Sequence, residues 1–250
     1  MSQLAAGPAR GQRPLASPAA AASVAEALWV SADVTALVAA IAAGMPQAWH
    51  TTLVGVTFLA ATWALVWRGD DERVRTAGLA LGGLVIPGRI DVRELASHAL
   101  RAVAWAAALG AIIAVPYFVG WRLWWGPKLP FSLALRPLDL GNEALGQLLV
   151  IALPEEAFYR GYLQSRFDEA WTPRWPVLGA RVGPGLLASA AIFALGHLAT
   201  VPLPMRLAVF FPALLFGWLR ARTGGIGASV CFHALCNVYS QILGRAYGVY

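Results

Sequence analysis

The chain has 250 residues, of which 58% are hydrophobic and only 13% charged, against about 25% charged in an ordinary soluble domain. With a mean hydropathy of +0.61 it exceeds what a well-filled soluble core requires, so the sequence is read against a bilayer. The net charge of +6 is carried mostly in short gaps between apolar runs, which is the pattern of a membrane surface and excludes a nucleic-acid groove.

Residues 1–25 are rich in Ala, Pro, Gly and Ser and carry Arg10 and Arg13. Pro14 and Pro18 interrupt the apolar core a signal peptide would need, so a disordered cytoplasmic tail is predicted here. Residues 34–67 contain no Asp, Glu, Lys or Arg, a run too long for one span of about 20 residues. Gly44-Met45-Pro46 breaks the run, giving helices near 26–44 and 50–67. The apolar run 76–88 is short, roughly 20 Å as a helix, and reads as an interfacial or re-entrant piece or as a short eighth span. Residues 102–121 form a clean third span. Trp121, Trp124 and Trp125, followed by Pro127 and Pro130, read as an interfacial belt.

Further spans are predicted over 142–165, near 184–199, over 207–219 and over 226–244. Cys231 and Cys236 share the last one, point in different directions five residues apart on a helix, and read as apolar fillers rather than a disulfide. With seven spans and the N-terminus inside, the inner loops hold Arg68, Arg73, Arg75, Arg89, Arg93, Arg101, Arg166, Arg174, Arg181, Arg220 and Arg222. The outer loops hold only Arg122, Lys128, Arg136 and Arg206, as the positive-inside rule requires. The fold class is thus all-α: a polytopic transmembrane bundle of seven or eight spans. Its parts are a tail over 1–25, an N-terminal transmembrane region over 26–139 and a polar-bearing core over 140–250.

The segment Leu153-Pro154-Glu155-Glu156-Ala157-Phe158-Tyr159-Arg160 places three ionisable groups in an apolar helix, where each charge costs at least a few kcal/mol. Glu156 and Arg160 stand i and i+4 with the acid first, the favourable order for a helical ion pair, and Glu155 lies about 100° around. His197 sits in a second span, and His233 and Asn237 share one face of a third. Together these supply what amide hydrolysis by water needs. A carboxylate can act as base, an imidazole can share the water or protonate the leaving amine, and further N–H groups can meet an oxyanion. Glu155, His197 and His233 could also hold a divalent metal, although no cofactor is required.

Glu155-Glu156-x-x-x-Arg160, Phe193-x-x-x-His197 and the block Phe210–Asn237, ending His233-x-x-x-Asn237, resemble the three motifs of the CAAX prenyl endopeptidase and bacteriocin-immunity (CPBP) family, in order, over roughly 140–245. Gly225 stands where that family commonly has a serine. The resemblance implies a glutamate-dependent intramembrane endopeptidase with its catalytic helices in the C-terminal half. In it Glu155 and His197 activate water, His233 and Asn237 stabilise the oxyanion, and Glu156 and Arg160 hold the first catalytic helix. The implied partner is a membrane-associated protein or peptide cut near its C-terminal region, as in the similar myxosortase branch, and the implied location is a bacterial inner membrane. A non-catalytic immunity or scaffold protein of the same fold, and a proton-relaying transporter, are the alternatives.

Overall fold

The computed structural model describes residues 18–132 and 137–249. The first helix, α1 (Pro18–Gly44), begins earlier than the composition indicates. Pro18, the first described residue, lacks an N–H that a first helical turn would leave unbonded anyway, so it is compatible with the helix instead of prolonging the tail. The predicted disordered tail is corrected over 18–25, and its remainder lies outside the described residues.

Pro46 ends the chain reversal, and α2 (Gln47–Thr62) runs back along α1, widening into a π-helical turn over Trp63–Trp67. Asp70 caps the short α3 (Asp71–Thr76) by accepting the Arg73 N–H at 2.7 Å. The run 76–88 does not cross the bundle. Gly78, Gly82 and Gly83 take φ values of 73°, 67° and 88°, which breaks any helix to a single 3₁₀ turn, Leu81–Gly83. Fully buried Leu79 covers Gly161, and the Gly78 carbonyl accepts the Ile226 N–H at 3.0 Å, so this segment caps one end of the bundle. The alternative of an eighth span is thereby removed.

Next comes α4 (Val92–Trp125), capped by Asp91 and closed by Gly126 in the left-handed region; its 34 residues reach about 51 Å. Ile112, Val115, Val119 and Leu123 on its outer face are exposed, as a lipid-facing stripe would be. Its end does not form the expected tryptophan belt as a unit. Trp121 is 5% exposed and packs on Tyr247 and Leu243, while Trp124 faces outward.

The helix α5 covers 137–170. After it, β1 (Trp175–Val177) and β2 (Ala180–Val182) form an antiparallel hairpin whose turn uses Leu178 and Gly179 at positive φ. Three helices complete the bundle: α6 (Pro184–Thr200), α7 (Phe210–Thr223) after a 3₁₀ turn over Pro204–Val209, and α8 (Gly227–Ala246). Among the described residues four stretches are long and apolar enough to cross a membrane: Pro18–Gly44, Gln47–Trp67, Val92–Trp125 and Pro204–Thr223, with the apolar but shorter Pro184–Thr200 beside them. The protein is an integral membrane protein built as an all-helical bundle, the hairpin apart.

The long helices alternate in direction. One end of the bundle gathers the start of α1 and the connections 67–92, 170–184 and 223–227, with Arg68, Arg73, Arg75, Arg89, Arg174, Arg181 and Arg222. The other end gathers 44–47, 200–204 and the end of α8, with Arg122, Lys128, Arg206 and Arg245; Arg136 lies outside the described residues. The core is densest between α5, α6, α7 and α8, where Phe158, Tyr162, Phe193, Phe216 and Phe232 are all at most 2% exposed.

Candidate active site

The site is organised by an irregularity in α5. Pro154 has no N–H to offer Val150, and its ring would crowd that carbonyl in a regular α-helix. The helix responds by widening: Gln147–Ala152 and Ala157–Gln164 are π-helical, with a short α-helical piece, Leu153–Glu156, between them. Across from the first widened turn stands Gly55 of α2. A Cβ there would lie 2.6 Å from the Val150 oxygen, so only glycine lets the two backbones approach this closely. The pair Glu155-Glu156 is thus carried on a helix segment held from both sides.

The two glutamates have different surroundings. Glu156 is fully buried, with Oε1 at 3.3 Å from Arg160 Nη1 and 2.9 Å from His233 Nδ1. The Arg160 guanidinium donates from Nη2 to the Ala213 carbonyl at 3.2 Å and lies 4.5 Å from the Phe193 ring and 5.2 Å from the Phe216 ring. His233 stacks on Phe216 with centroids 4.6 Å apart and meets Phe193 edge-on at 5.9 Å. With Nδ1 donating to the Glu156 carboxylate, its Nε2 is left 3.8 Å from Glu155 Oε2. One imidazole therefore sits between both carboxylates. Oε2 of each glutamate is buried without a hydrogen-bond partner, so the difference between them lies in Oε1 of Glu156, which Arg160 and His233 hold.

Glu155 also forms part of the wall of a cavity of about 420 Å³ between α1, α2, α5 and α6. His197 is on the same wall. Its Nδ1 donates to the Phe193 carbonyl one turn back at 3.0 Å, which fixes the tautomer and leaves Nε2 as the free ring nitrogen. Neither His233 nor Asn237 lines this cavity. Asn237 donates from Nδ2 to Gln147 Oε1 at 2.8 Å, one N–H of its amide remaining uncommitted.

Four of the other five expected residues therefore gather around Glu155. Glu156, Arg160 and His233 form a buried network behind it, and His197 stands with it on the cavity; Asn237 lies one turn beyond His233, tied to Gln147. The candidate metal ligands Glu155, His197 and His233 are not grouped so as to hold an ion; among the described residues no three His, Cys, Asp or Glu are. Sequence reading missed Gln147, whose amide in the run Gln147–Ala152 is the only mark it leaves. It also missed Ser189 and Ser229, which donate to the carbonyls of Tyr159 (2.8 Å) and Phe216 (2.8 Å) and pin α5 to α6 and α7 to α8.

The fold and this cluster define a class: polytopic helical membrane proteins with a buried site of carboxylates and imidazoles among their spans. The family described as type II CAAX prenyl endopeptidase Rce1-like matches residues 141–239, the stretch that holds Glu155, Glu156, Arg160, His197, His233, Asn237 and also Gln147. Over that stretch, well under half of its 250 residues, the chain is similar to this family of endopeptidases. No curated protein and no solved structure matches the chain.

Proposed function

We propose that the protein is an intramembrane endopeptidase of a bacterial inner membrane, hydrolysing a peptide bond near the membrane-associated C-terminal region of a protein substrate with water activated by Glu155. The observation that carries this reading is the contrast between neighbouring glutamates. Glu156 is fully buried with Oε1 held by Arg160 and His233, whereas Glu155 comes no closer than 3.8 Å to His233 and lines a cavity together with His197. In the proposed step Glu155 takes a proton from water as the hydroxyl oxygen attacks the scissile carbonyl. Nε2 of His197 accepts a hydrogen bond from the same water. Expulsion of the amine then draws the proton from Glu155 to the leaving nitrogen, so no external reductant, oxidant or metal enters the balance.

His233 and Asn237 are assigned the oxyanion, His233 donating from a protonated Nε2 while Nδ1–H stays on Glu156, with a difference from the simplest expectation. Both stand behind Glu155, oriented by Glu156 and Gln147, and meet the substrate only when it reaches the end of the cavity. An acid or base of this kind contributes about 10²–10⁴-fold. Glu155→Gln should therefore lower processing by at least about 100-fold. The test compares cells carrying wild type and Glu155→Gln by mass spectrometry of the C-termini of membrane and surface proteins. A set of processed termini lost in the variant, at equal expression, identifies the substrates. Unchanged termini would sink the enzymatic reading and favour a non-catalytic immunity or scaffold protein.

A further inference from the structure

The cavity beside Glu155 has a wall that runs from an aromatic floor to a polar rim, and the fold places the two at opposite ends of the bundle. Toward the arginine-rich end of the bundle it is floored by aromatic rings. Phe58 lies 5.4 Å from both Phe158 and Tyr159, Phe158 lies 5.7 Å from Tyr162, and all four are at most 4% exposed. Toward the other end the wall runs through Val54 and Ala42 to a polar rim of Gln47, His50, Thr51 and Thr200. Gln47 and Thr51 are exposed, and all four belong to the α1–α2 turn region or to the last turn of α6, at the arginine-poor end. His50 holds the rim by hydrogen-bonding the Met45 carbonyl at that turn. By the positive-inside rule the arginine-rich end is cytoplasmic, so the mouth faces away from the cytoplasm. Among the described residues the wall carries no Lys or Arg that could pair with a terminal carboxylate, and its one acid is Glu155.

We infer that the substrate enters from the non-cytoplasmic face, as an uncharged internal stretch of an exported, membrane-anchored polypeptide rather than as a cytoplasmic chain terminus. This rests on the proteolytic reading above and adds the direction of entry and the class of segment taken. The volume suits such a stretch, lying within the usual range for ligand sites of about 300–1,000 Å³. On the arginine-rich side the packed rings of Phe58, Phe158, Tyr159 and Tyr162 stand between Glu155 and that end of the bundle.

The test places single cysteines at the rim (Thr51→Cys and, independently, Gln47→Cys), on the same face outside the cavity (Lys128→Cys) and on the opposite face (Arg75→Cys). Intact spheroplasts are treated with a bulky, membrane-impermeant maleimide, with the unsubstituted protein as the background for native Cys231 and Cys236. The rim cysteines and Lys128→Cys should label in intact spheroplasts, and Arg75→Cys only after permeabilisation. Labelling at either rim position should lower processing of the Glu155-dependent termini at least tenfold relative to the same variant unlabelled, whereas labelled Lys128→Cys should process as before. Rim cysteines that label only after permeabilisation overturn the inference, as do labelled rims with unchanged processing; in both cases the protease reading stands. If Glu155→Gln alters no termini, that reading fails first and the entry route falls with it, whichever face labels.

Discussion

Glu155 and Glu156 are chemically identical and adjacent, yet one is committed to the fold and the other is not. Glu156 neutralises an Arg160 that is 1% exposed, and removing one member of a buried pair typically costs about 3–5 kcal/mol because the other is left buried without a counter-charge. Glu156→Gln is therefore expected to lower the thermal midpoint in detergent sharply. Arg160→Met placed on top of it should restore part of the loss, since an uncharged pair strands no ion. Glu155→Gln removes a carboxylate that has no cation of its own, and should abolish processing with little change in the midpoint. A midpoint that fell equally for both glutamates would show that the two are not divided in this way. The identities at this scale were legible in the sequence: charge is so rare in the apolar runs that Glu155, Glu156, Arg160, His197 and His233 stood out. Gln147 did not, because an amide carries no charge to flag it and its partner Asn237 is 90 residues away.

At the scale of elements, the apolar runs gave the helices because hydropathy sets the spans, and Gly44-Met45-Pro46 gave the first reversal. The widening of α5 left no trace in composition. Pro154 marks a break in any helix, but only the packing partner decides whether the helix ends, kinks or widens, and here that partner is Gly55 on α2. Gly55→Ala puts a methyl against a backbone oxygen that has no flexible end to swing aside. It should cost about 1–3 kcal/mol, as overpacking does, and reduce processing because α2 and α5 both wall the cavity. Comparing its thermal midpoint and its processing rate with Gly44→Ala, where a Cβ meets nothing within 4 Å, separates packing from helix propensity.

The end of α5, beyond the span, offers a second handle. Burial pushes the Asp168 carboxyl up to about 6, against the pull of Arg220, whose Nη1 is 3.5 Å from Oδ2. A raised acid holds its proton more tightly folded than unfolded. Its contribution to stability is thus complete below the ordinary carboxylate value of about 4 and is lost as pH rises through 6. Asp168→Asn cannot ionise, and it should lose less of its midpoint between about pH 5 and about pH 7.5 than the parent does. An equal loss in both proteins would place the pH sensitivity elsewhere.

Across the whole molecule, the positions of the chain ends depend on how many times the backbone crosses the bundle. The sequence left that parity open because 76–88 is apolar enough to be counted and too short to be counted safely. Hydropathy could not see that Gly78, Gly82 and Gly83 take positive φ and fold the segment into a cap under Ile226 and Gly161. Nor could it see the cavity, whose wall draws on Thr35, Gly55, Ile151 and His197 from four separate helices. With 76–88 out of the count, the alternating directions of α1, α2, α4, α5, α6, α7 and α8 give an odd number of crossings, and the start of α1 and the end of α8 lie on opposite faces. By the positive-inside rule the arginine asymmetry predicts the start of α1 on the cytoplasmic side. A fluorescent protein fused before Met1 should be bright and the same protein fused after Tyr250 dark, while alkaline phosphatase after Tyr250 should be active. Brightness at both ends would mean an even number of crossings. The cap would then have to traverse the bilayer, and every helix after it would run in the opposite direction across the membrane.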